Sequence, residues 1–375
     1  MKRVAVPAAA AKILKPLAAV ARREGLALYA VGGPVRDWLM RRPSFDLDLT
    51  VAGAPDGVAK AAAALLNGTV EEFGRFGTRR VVSTGKFRVD VATTRAESYP
   101  EPASLPVVQK TGVLIDLDLF RRDFTVNALA VRLDDGSFAL TDPYGGAKDI
   151  KDRVLRVLHR ESFRDDPTRV FRAARFLARF RFYPATDLVD DAKAALAAGH
   201  AEKLSPHRLL HELESLLGEK DPGPAFVLLK AWGYLGLLHA ELPWDRRMPA
   251  GVEPRLAAMA LALGSVKGRA FVESFPHPHD RRARLLETLS LAFADKAPRA
   301  APPASVEASV RRFLPKLPPA ALKPCFLAGE DLVAAGLSPG PSFHDVLHDA
   351  ARLQRSGALK TRAAARAWLK KRLSA

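Results

Sequence analysis

The sequence predicts an α+β protein: a mixed α/β part up to about residue 155, followed by an all-helical remainder. Three observations predict it. Short β-branched runs alternate with helix-like segments only in the first 155 residues. From about Arg156 onward the apolar residues recur at helical spacing. A chain of 375 residues is also long for a single core, so more than one domain is expected. The composition, 48% hydrophobic and 26% charged, excludes intrinsic disorder. Lys and Arg number 58 against 41 Asp and Glu, and the resulting charge of +17 calls for a polyanionic partner, nucleic acid ahead of a membrane surface. The single cysteine, Cys325, has no internal disulfide partner and reads as a buried filler. The opening MKRVAVPAAAAKILKPL is broken by Lys12, Lys15 and Pro16 before a secretory or spanning segment develops, and no other run is long and charge-free enough to span a membrane. A cytoplasmic location is expected, and nothing in the sequence requires an obligate protein partner.

Taken in order, Leu26 to Val31 reads as a strand that ends on Gly32-Gly33, with Pro34 opening a helix. Asp46 to Val51 alternates as a strand, turning Leu47 and Leu49 to the core. RRVVSTGKFRVDVATT reads as two strands joined by a turn at Gly85. RVFRAARFLARF, PHRLLHELESLLG, AFVLLKAWGYLGLL, RLAAMALALG and ARLLETLSLAFA then read as helices. Pro-rich, charged breaks fall at 219–224, 243–254 and 295–305. The last is the best linker candidate, with nothing in it expected to pack. His277-Pro278-His279-Asp280 reads as a loop. In residues 355–375, helical spacing puts Leu359, Ala363, Ala367 and Leu373 on an apolar side and leaves most of seven cations outward.

Four segments carry candidate chemistry. Gly32, Gly33 and Arg36 sit where a strand gives way to a helix, a place where phosphate can approach backbone amides and an arginine fork can join; an ordinary turn is the other reading. Asp46 and Asp48, two apart on a strand, share a face. Their repulsion is relieved by a hard cation such as Mg²⁺ with triphosphate oxygens completing its shell, or else they form a solvated face. Asp90 on a neighbouring strand is a candidate third carboxylate or a surface aspartate. Arg121-Arg122-Asp123-Phe124-Thr125-Val126-Asn127 reads as a helix start presenting guanidinium groups to phosphate or ribose, with Arg122, Asp123 and Asn127 as contacts, or as a structural ion-pair cluster. Finally, Asp166, Arg169, Arg172 and Arg175 recur every third residue after Asp165, and Pro167 opens a helix. An acceptor (Asp166) beside a fork of donors (Arg169) matches cytosine and adenine, each of which presents an amine beside a ring acceptor, and leaves uracil and guanine with unpaired groups. A solvated basic helix is the alternative.

These motifs stand together in one order. Gly32-Gly33-x-Val35-Arg36-Asp37, Asp46-x-Asp48, RRDFTVNA, Asp142-Pro143 with Gly145-Gly146, and Asp165-Asp166-x-x-Arg169 resemble the class II tRNA nucleotidyltransferase and bacterial poly(A) polymerase family. Ser205-Pro206-His207-Arg208 to Glu212 is similar to the family's neck, and Gly329-Glu330-Asp331-Leu332 with Gly336 to Pro341 to its tail. The resemblance implies a DNA polymerase beta-like nucleotidyltransferase head with a mixed sheet (1–155), then a helical neck that recognises the base (156–220), a body (221–300) and a tRNA-binding tail (301–375). It implies catalytic Mg²⁺ on Asp46 and Asp48, triphosphate on Gly33 and Arg36, and the incoming ATP or CTP against Arg122. Asp166 and Arg169 would read the base, and Arg172 and Arg175 would complete the site. Asp165 stands where the family most often has Glu, and Glu330 where its tail usually has a basic residue.

CCA addition, terminal-A addition, CC addition and poly(A) tailing share these motifs. A full-length Glu97–Thr111 stretch argues against the CC-adding subgroup, and the DDPTR wording with the Gly-Pro tail is closer to the subgroup containing A-adding enzymes. A non-catalytic tRNA-binding protein is the reading from another class, opposed by retention of both Asp46 and Asp48. A small-molecule nucleotidyltransferase is opposed by the basic charge and the long helical remainder.

Overall fold

A computed structural model of the chain describes residues 2–73, 77–245 and 248–374. It divides into two compact units, one of Met1–Leu204 with Pro224–Tyr234, the other of Ser205–Gly223 with Leu235–Ala375. The division falls at Ser205, so the helices between 156 and 204 belong with the sheet.

The first unit opens with α1 (Ala8–Arg23), β1 (Leu28–Val31), α2 (Gly33–Leu39), β2 (Asp46–Val51) and α3 (Asp56–Leu66). β3 (Thr69–Phe73), β4 (Thr78–Val82) and β5 (Arg88–Thr93) follow, then a separate hairpin of β6 (Arg95–Ser98) and β7 (Val107–Thr111). α4 (Ile115–Phe120), β8 (Ala130–Arg132), β9 (Leu140–Thr141) and α5 (Gly146–Asp152) complete the sheet region. The main sheet runs β3-β4-β5-β2-β1-β8-β9; β2 and β5 are parallel and the other pairs antiparallel, which makes it the mixed sheet expected. The alternation in DLDLTV acts as expected: Leu47 and Leu49 join Val89 and Val91 in a core that α1 and α3 close with Leu14, Leu17, Val58 and Ala62. Each of the leucines and valines contributes about 1.5–3 kcal/mol by leaving water, enough to hold β2 in one register and its aspartates on the opposite face.

Strands do not stop at Arg156. β10 (Val154–Leu155) pairs in parallel with β11 (Tyr183–Pro184), because Arg181 takes a left-handed conformation (φ 56°) and returns the chain so that the Tyr183 amide donates to Arg153 O. Between them lie α6 (Ser162–Asp165) and α7 (Thr168–Phe180), and α8 (Leu188–Ala197) follows. α9 (Pro206–Leu217) belongs to the second unit, and most of α10 (Gly223–Ala231) to the first.

The second unit continues with α11 (Val252–Ala262), α12 (Gly264–Glu273), α13 (His279–Ala292), α14 (Ala304–Phe313), α15 (Gly329–Ala334), α16 (Pro341–Ser356) and α17 (Arg362–Leu373). The stretch 295–305 is not the unpacked linker expected from its composition. Ala297 is buried, its amide donates to Ala351 O, and Pro298 O accepts from the Cys325 amide. Cys325 is only half-buried, its thiol directed at Ala297 O and Pro298 O. His277 is buried while His279 and Asp280 start α13 and are exposed, so the His-Pro-His-Asp segment is a loop only in its first half.

The C-terminal segment also differs from the expectation. α16 ends at Gly357 in a left-handed cap, and α17 starts afresh after Thr361, whose hydroxyl accepts from the Ala364 amide. That restart sets the helical phase, so Ala365 and Leu369 are the buried residues of α17, with Leu359 buried just before it, while Ala363, Ala367 and Leu373 are exposed. Arg355 is buried and donates to Leu291 O and Ala292 O. Arg362 and Arg366 both pair with Asp331, and Arg372 with Asp349. Among the described residues no helix is long and apolar enough to cross a membrane.

Candidate active site

The turn from β1 to α2 is shaped by Gly32, whose backbone (φ 72°, ψ −125°) is open only to glycine and whose amide donates to Leu129 O. A Cβ there would lie 2.6 Å from the Arg122 guanidinium, so the bare backbone keeps that arginine against the turn. Arg36 does not extend its fork outward as the sequence suggested. Its guanidinium is buried against Asp37 at 2.9 Å, donates to Asn127 Oδ1 at 2.6 Å and lies 4.6 Å from the Phe180 ring centroid, which makes it the turn's internal brace.

Asp46 and Asp48 occupy alternate positions of β2 and face Arg88 and Asp90 across the parallel pair. Asp46 is exposed and pairs with Arg88 at 3.3 Å. Burial raises the Asp48 carboxyl above its ordinary value, Arg122 opposes this, and Asp90 and Asp46 add to it. Asp90 is gripped by both arms of Arg80, at 2.9 and 2.8 Å. Three carboxylates therefore share one sheet face, while no three Asp, Glu, His or Cys side chains among the described residues converge into a ready cage.

RRDFTVNA is not a helix start. α4 ends at Phe120, Phe124 bridges to Val157, and Thr125–Asn127 forms one 3-10 turn. Asp118, completely buried, accepts from the Arg95 amide and holds Arg121 at 3.0 Å and Arg122 at 3.2 Å, fixing the arginines to the helix they follow. Its carboxyl is held below the ordinary value; burial alone would raise it, and Arg122 and Arg121 overcome that. Asp123 accepts from Asn127 at 2.9 Å and from two nitrogens of Arg172 at 2.9 and 2.6 Å. Burial would raise Asp123, but Arg172 and Asn127 lower it to about 2. A continuous chain, Arg36–Asn127–Asp123–Arg172, thus ties the glycine turn to α7. Gly146, whose amide donates to Asp142, packs so closely on Thr125 O that a Cβ could not fit.

Asp166 precedes α7 rather than lying on it, and its Oδ1 caps the helix, accepting from the Thr168 amide at 3.0 Å and hydroxyl at 2.5 Å. Arg169 is 4% exposed and donates to Ser162 Oγ at 2.7 Å, Arg121 O at 3.0 Å and Tyr99 Oη at 3.3 Å. A cleft of about 350 Å³ gathers Gly32, Gly33, Arg36, Asp48, Arg122, Asp123, Asn127, Asp166, Arg169 and Arg172 in one lining. Asp46, Asp90 and Arg175 lie outside that lining, Arg175 stacking 4.8 Å from the Phe176 ring centroid. Phe176, which does line the cleft, was missed, as were Asp118 and Tyr99 beside it. Phe176 stands one helical turn after Arg172, a spacing visible in the sequence. Asp118 carried no signal, since an acid in DLDLF reads as solvated.

Residues 28–156 match the model of the Poly A polymerase head domain. The chain is 36% identical to the CC-adding tRNA nucleotidyltransferase of Deinococcus radiodurans over 354 residues, covering 91% of this chain and 89% of that one. It is 38% identical to the A-adding tRNA nucleotidyltransferase of Geobacter sulfurreducens over 240 residues, 63% of this chain, and spans only 27% of that relative's length. A solved structure described as CCA-adding enzyme apo form II superposes with a TM-score of 0.69 at 25% identity, covering 91% of each chain. With a mixed-sheet head, the ordered motifs in one cleft and a relative matched nearly end to end, this chain belongs to the tRNA nucleotidyltransferase and poly(A) polymerase family.

Proposed function

We propose that this protein is a template-independent RNA nucleotidyltransferase that adds CCA, or its terminal A, to the 3′ end of tRNA in the cytoplasm, using CTP and ATP and releasing pyrophosphate. The observation that carries this reading is the shared lining of Asp48, Arg122, Arg172, Asp166 and Arg169 in one cleft. Such a cleft offers a carboxylate, phosphate-binding arginines and a base-sized acceptor and donor pair together. A hard divalent cation fits the carboxylates, because half-buried Asp48 lies beside Asp46 and Asp90, whose like charges raise its carboxyl and which a bound cation would relieve beyond what Arg122 does. Asp46 and Asp48 would hold Mg²⁺, which when bound supplies charge for the attacking and leaving oxygens of an in-line displacement.

The protein's own groups then bind and orient. Arg122, braced by Asp118, meets the triphosphate over the bare backbone of Gly32. Arg172, braced by Asp123, borders the sugar and base, and Phe176 offers a ring for stacking. The RNA 3′ hydroxyl gives up its proton to solvent and its oxygen bonds to the α-phosphorus as the bond to the β-phosphate bridge breaks and pyrophosphate leaves. No covalent intermediate with a side chain is needed. Asp166 and Arg169 select C and A over U and G.

A second reading, CC addition, is favoured by one observation: a relative matched along almost the whole chain is a CC-adding protein. Four tRNA transcripts, ending at the discriminator base, after C, after CC and after CCA, each offered single nucleotides, separate the readings. Extension of the CC-ended transcript by ATP supports CCA or A addition. CTP-only extension stopping at CC assigns the second reading, repeated A addition assigns poly(A) tailing, and binding without extension of any transcript leaves a tRNA-binding protein.

A further inference from the structure

Arg169 is nearly sealed from solvent, yet the residues that fix it come from three separate elements. Ser162 Oγ on α6 accepts from Nη1 at 2.7 Å, the Arg121 carbonyl after α4 accepts from Nη2 at 3.0 Å, and the Tyr99 hydroxyl, one residue past β6, accepts from Nη2 at 3.3 Å. Ser162 is completely buried, so its hydroxyl has no water to replace this donor. Tyr99 is half-buried, with its ring centroid 5.7 Å from the guanidinium carbon. Burial raises its phenol above the ordinary value against the pull of Arg169, and Asp166 adds to the rise, so it stays protonated beside both members of the pair. Side-chain entropy makes a free arginine a poor ruler: a fork that can rotate offers its donors to any carbonyl, including that of uracil.

We propose that Ser162 and Tyr99 are positioning residues for base selection, holding the Arg169 fork in the one plane from which it discriminates C and A from U and G. This rests on the reading of Asp166 and Arg169 as the base-selecting pair. Neither hydroxyl lines the cleft, so each acts through Arg169 and not on the nucleotide. The backbone carbonyl of Arg121 cannot hold the plane alone, because one acceptor leaves rotation about its hydrogen bond free. Tyr99 also makes the β6–β7 hairpin part of the selection device, since it anchors that hairpin's first strand end to α7.

The test uses the full chain with a tRNA transcript that the wild type extends, measuring kcat/KM for each of the four nucleotides in Ser162→Ala, Tyr99→Phe, the double variant and Arg169→Ala. Loss of a buried hydrogen bond to a charged donor is expected to lower the ratio of favoured to disfavoured nucleotides about tenfold in Ser162→Ala. A smaller fall is expected in Tyr99→Phe, whose bond is longer, and the largest of the three in the double variant. A purely structural role would lower all four values together and leave the ratio unmoved, and thermal denaturation of each variant reports that separately. Unchanged ratios in the double variant, with Arg169→Ala relaxed, overturn the positioning role and leave the base-reading pair standing. Unchanged ratios in Arg169→Ala overturn both.

Discussion

The arginines of α7 and those of α17 look alike in the sequence, as basic residues at helical spacing, yet they are paired in different ways. On α7, Arg169 is buried on three acceptors and Arg172 grips Asp123, a carboxylate held near 2. On α17, Arg362 and Arg366, with side chains 59% and 58% exposed, share the buried carboxylate of Asp331, and Arg372 reaches Asp349. Buried pairs cost about 3–5 kcal/mol when one partner is removed, whereas exposed pairs contribute about 0–1 kcal/mol. The first set can hold a fixed geometry against a nucleotide. The second keeps its guanidinium ends open to solvent, where they can face RNA phosphate alongside Lys360, Lys370 and Lys371.

The largest effect expected is at the carboxylates of the first unit. Asp46→Ala or Asp48→Ala should reduce incorporation to background while gel-shift affinity for tRNA barely changes. Near-normal turnover with Mg²⁺ in either variant would break the assignment. Next is Asp123. Its depressed carboxyl stabilises the folded state at and above the ordinary aspartate value of about 3.9, and that contribution is lost as pH falls toward 2. Asp123→Asn should therefore lower Tm at neutral pH and flatten the Tm-against-pH curve between about 4 and 2; an unaltered acid limb would show the pair with Arg172 to be weak. Gly32→Ala should cost about 1–3 kcal/mol in urea denaturation, from the glycine-only backbone, and raise the KM for ATP by displacing Arg122. Smallest is the change in the second unit. Lys370→Gln with Lys371→Gln should leave ATP affinity unaltered and reduce the slope of log affinity against log salt by roughly 0.7–0.9 for each RNA phosphate no longer neutralised. An unchanged slope would show that α17 only keeps the protein soluble.

The same contrast explains what the sequence made legible. Alternation of Leu47, Leu49, Val89 and Val91 announced β2 and β5, because a two-residue period has one physical meaning on a half-buried sheet. The motif glycines, carboxylates and arginines were found because their residue types are chemically restrictive, and the cleft brings nine of them together with Asn127. What stayed hidden depended on partners distant in sequence. Arg36 reads as a ligand arginine until Asn127, 91 residues away, accepts its donor. RRDFTVNA reads as a helix start until buried Asp118 takes Arg121 and Arg122 as partners and Phe124 bridges to Val157. The 295–305 stretch reads as a linker because Ala and Pro have no polar signature, although Ala297 packs and bonds to Ala351. In α17 the apolar face shifted by two residues, since the phase is set by the Thr361 cap rather than by the spacing of alanines and leucines.

If side chains of the first unit, and not a nucleic-acid template, choose the incoming base, the choice must follow Asp166 and Arg169. Competition between ATP or CTP and UTP or GTP on one extendable tRNA transcript, in wild type, Asp166→Ala and Arg169→Ala, reads that dependence. Discrimination lost through mismatched hydrogen bonding is roughly two orders of magnitude or more, and both variants should relax by about that much while still incorporating nucleotide. Identical relative efficiencies for all four nucleotides in wild type and variants would contradict selection by the protein.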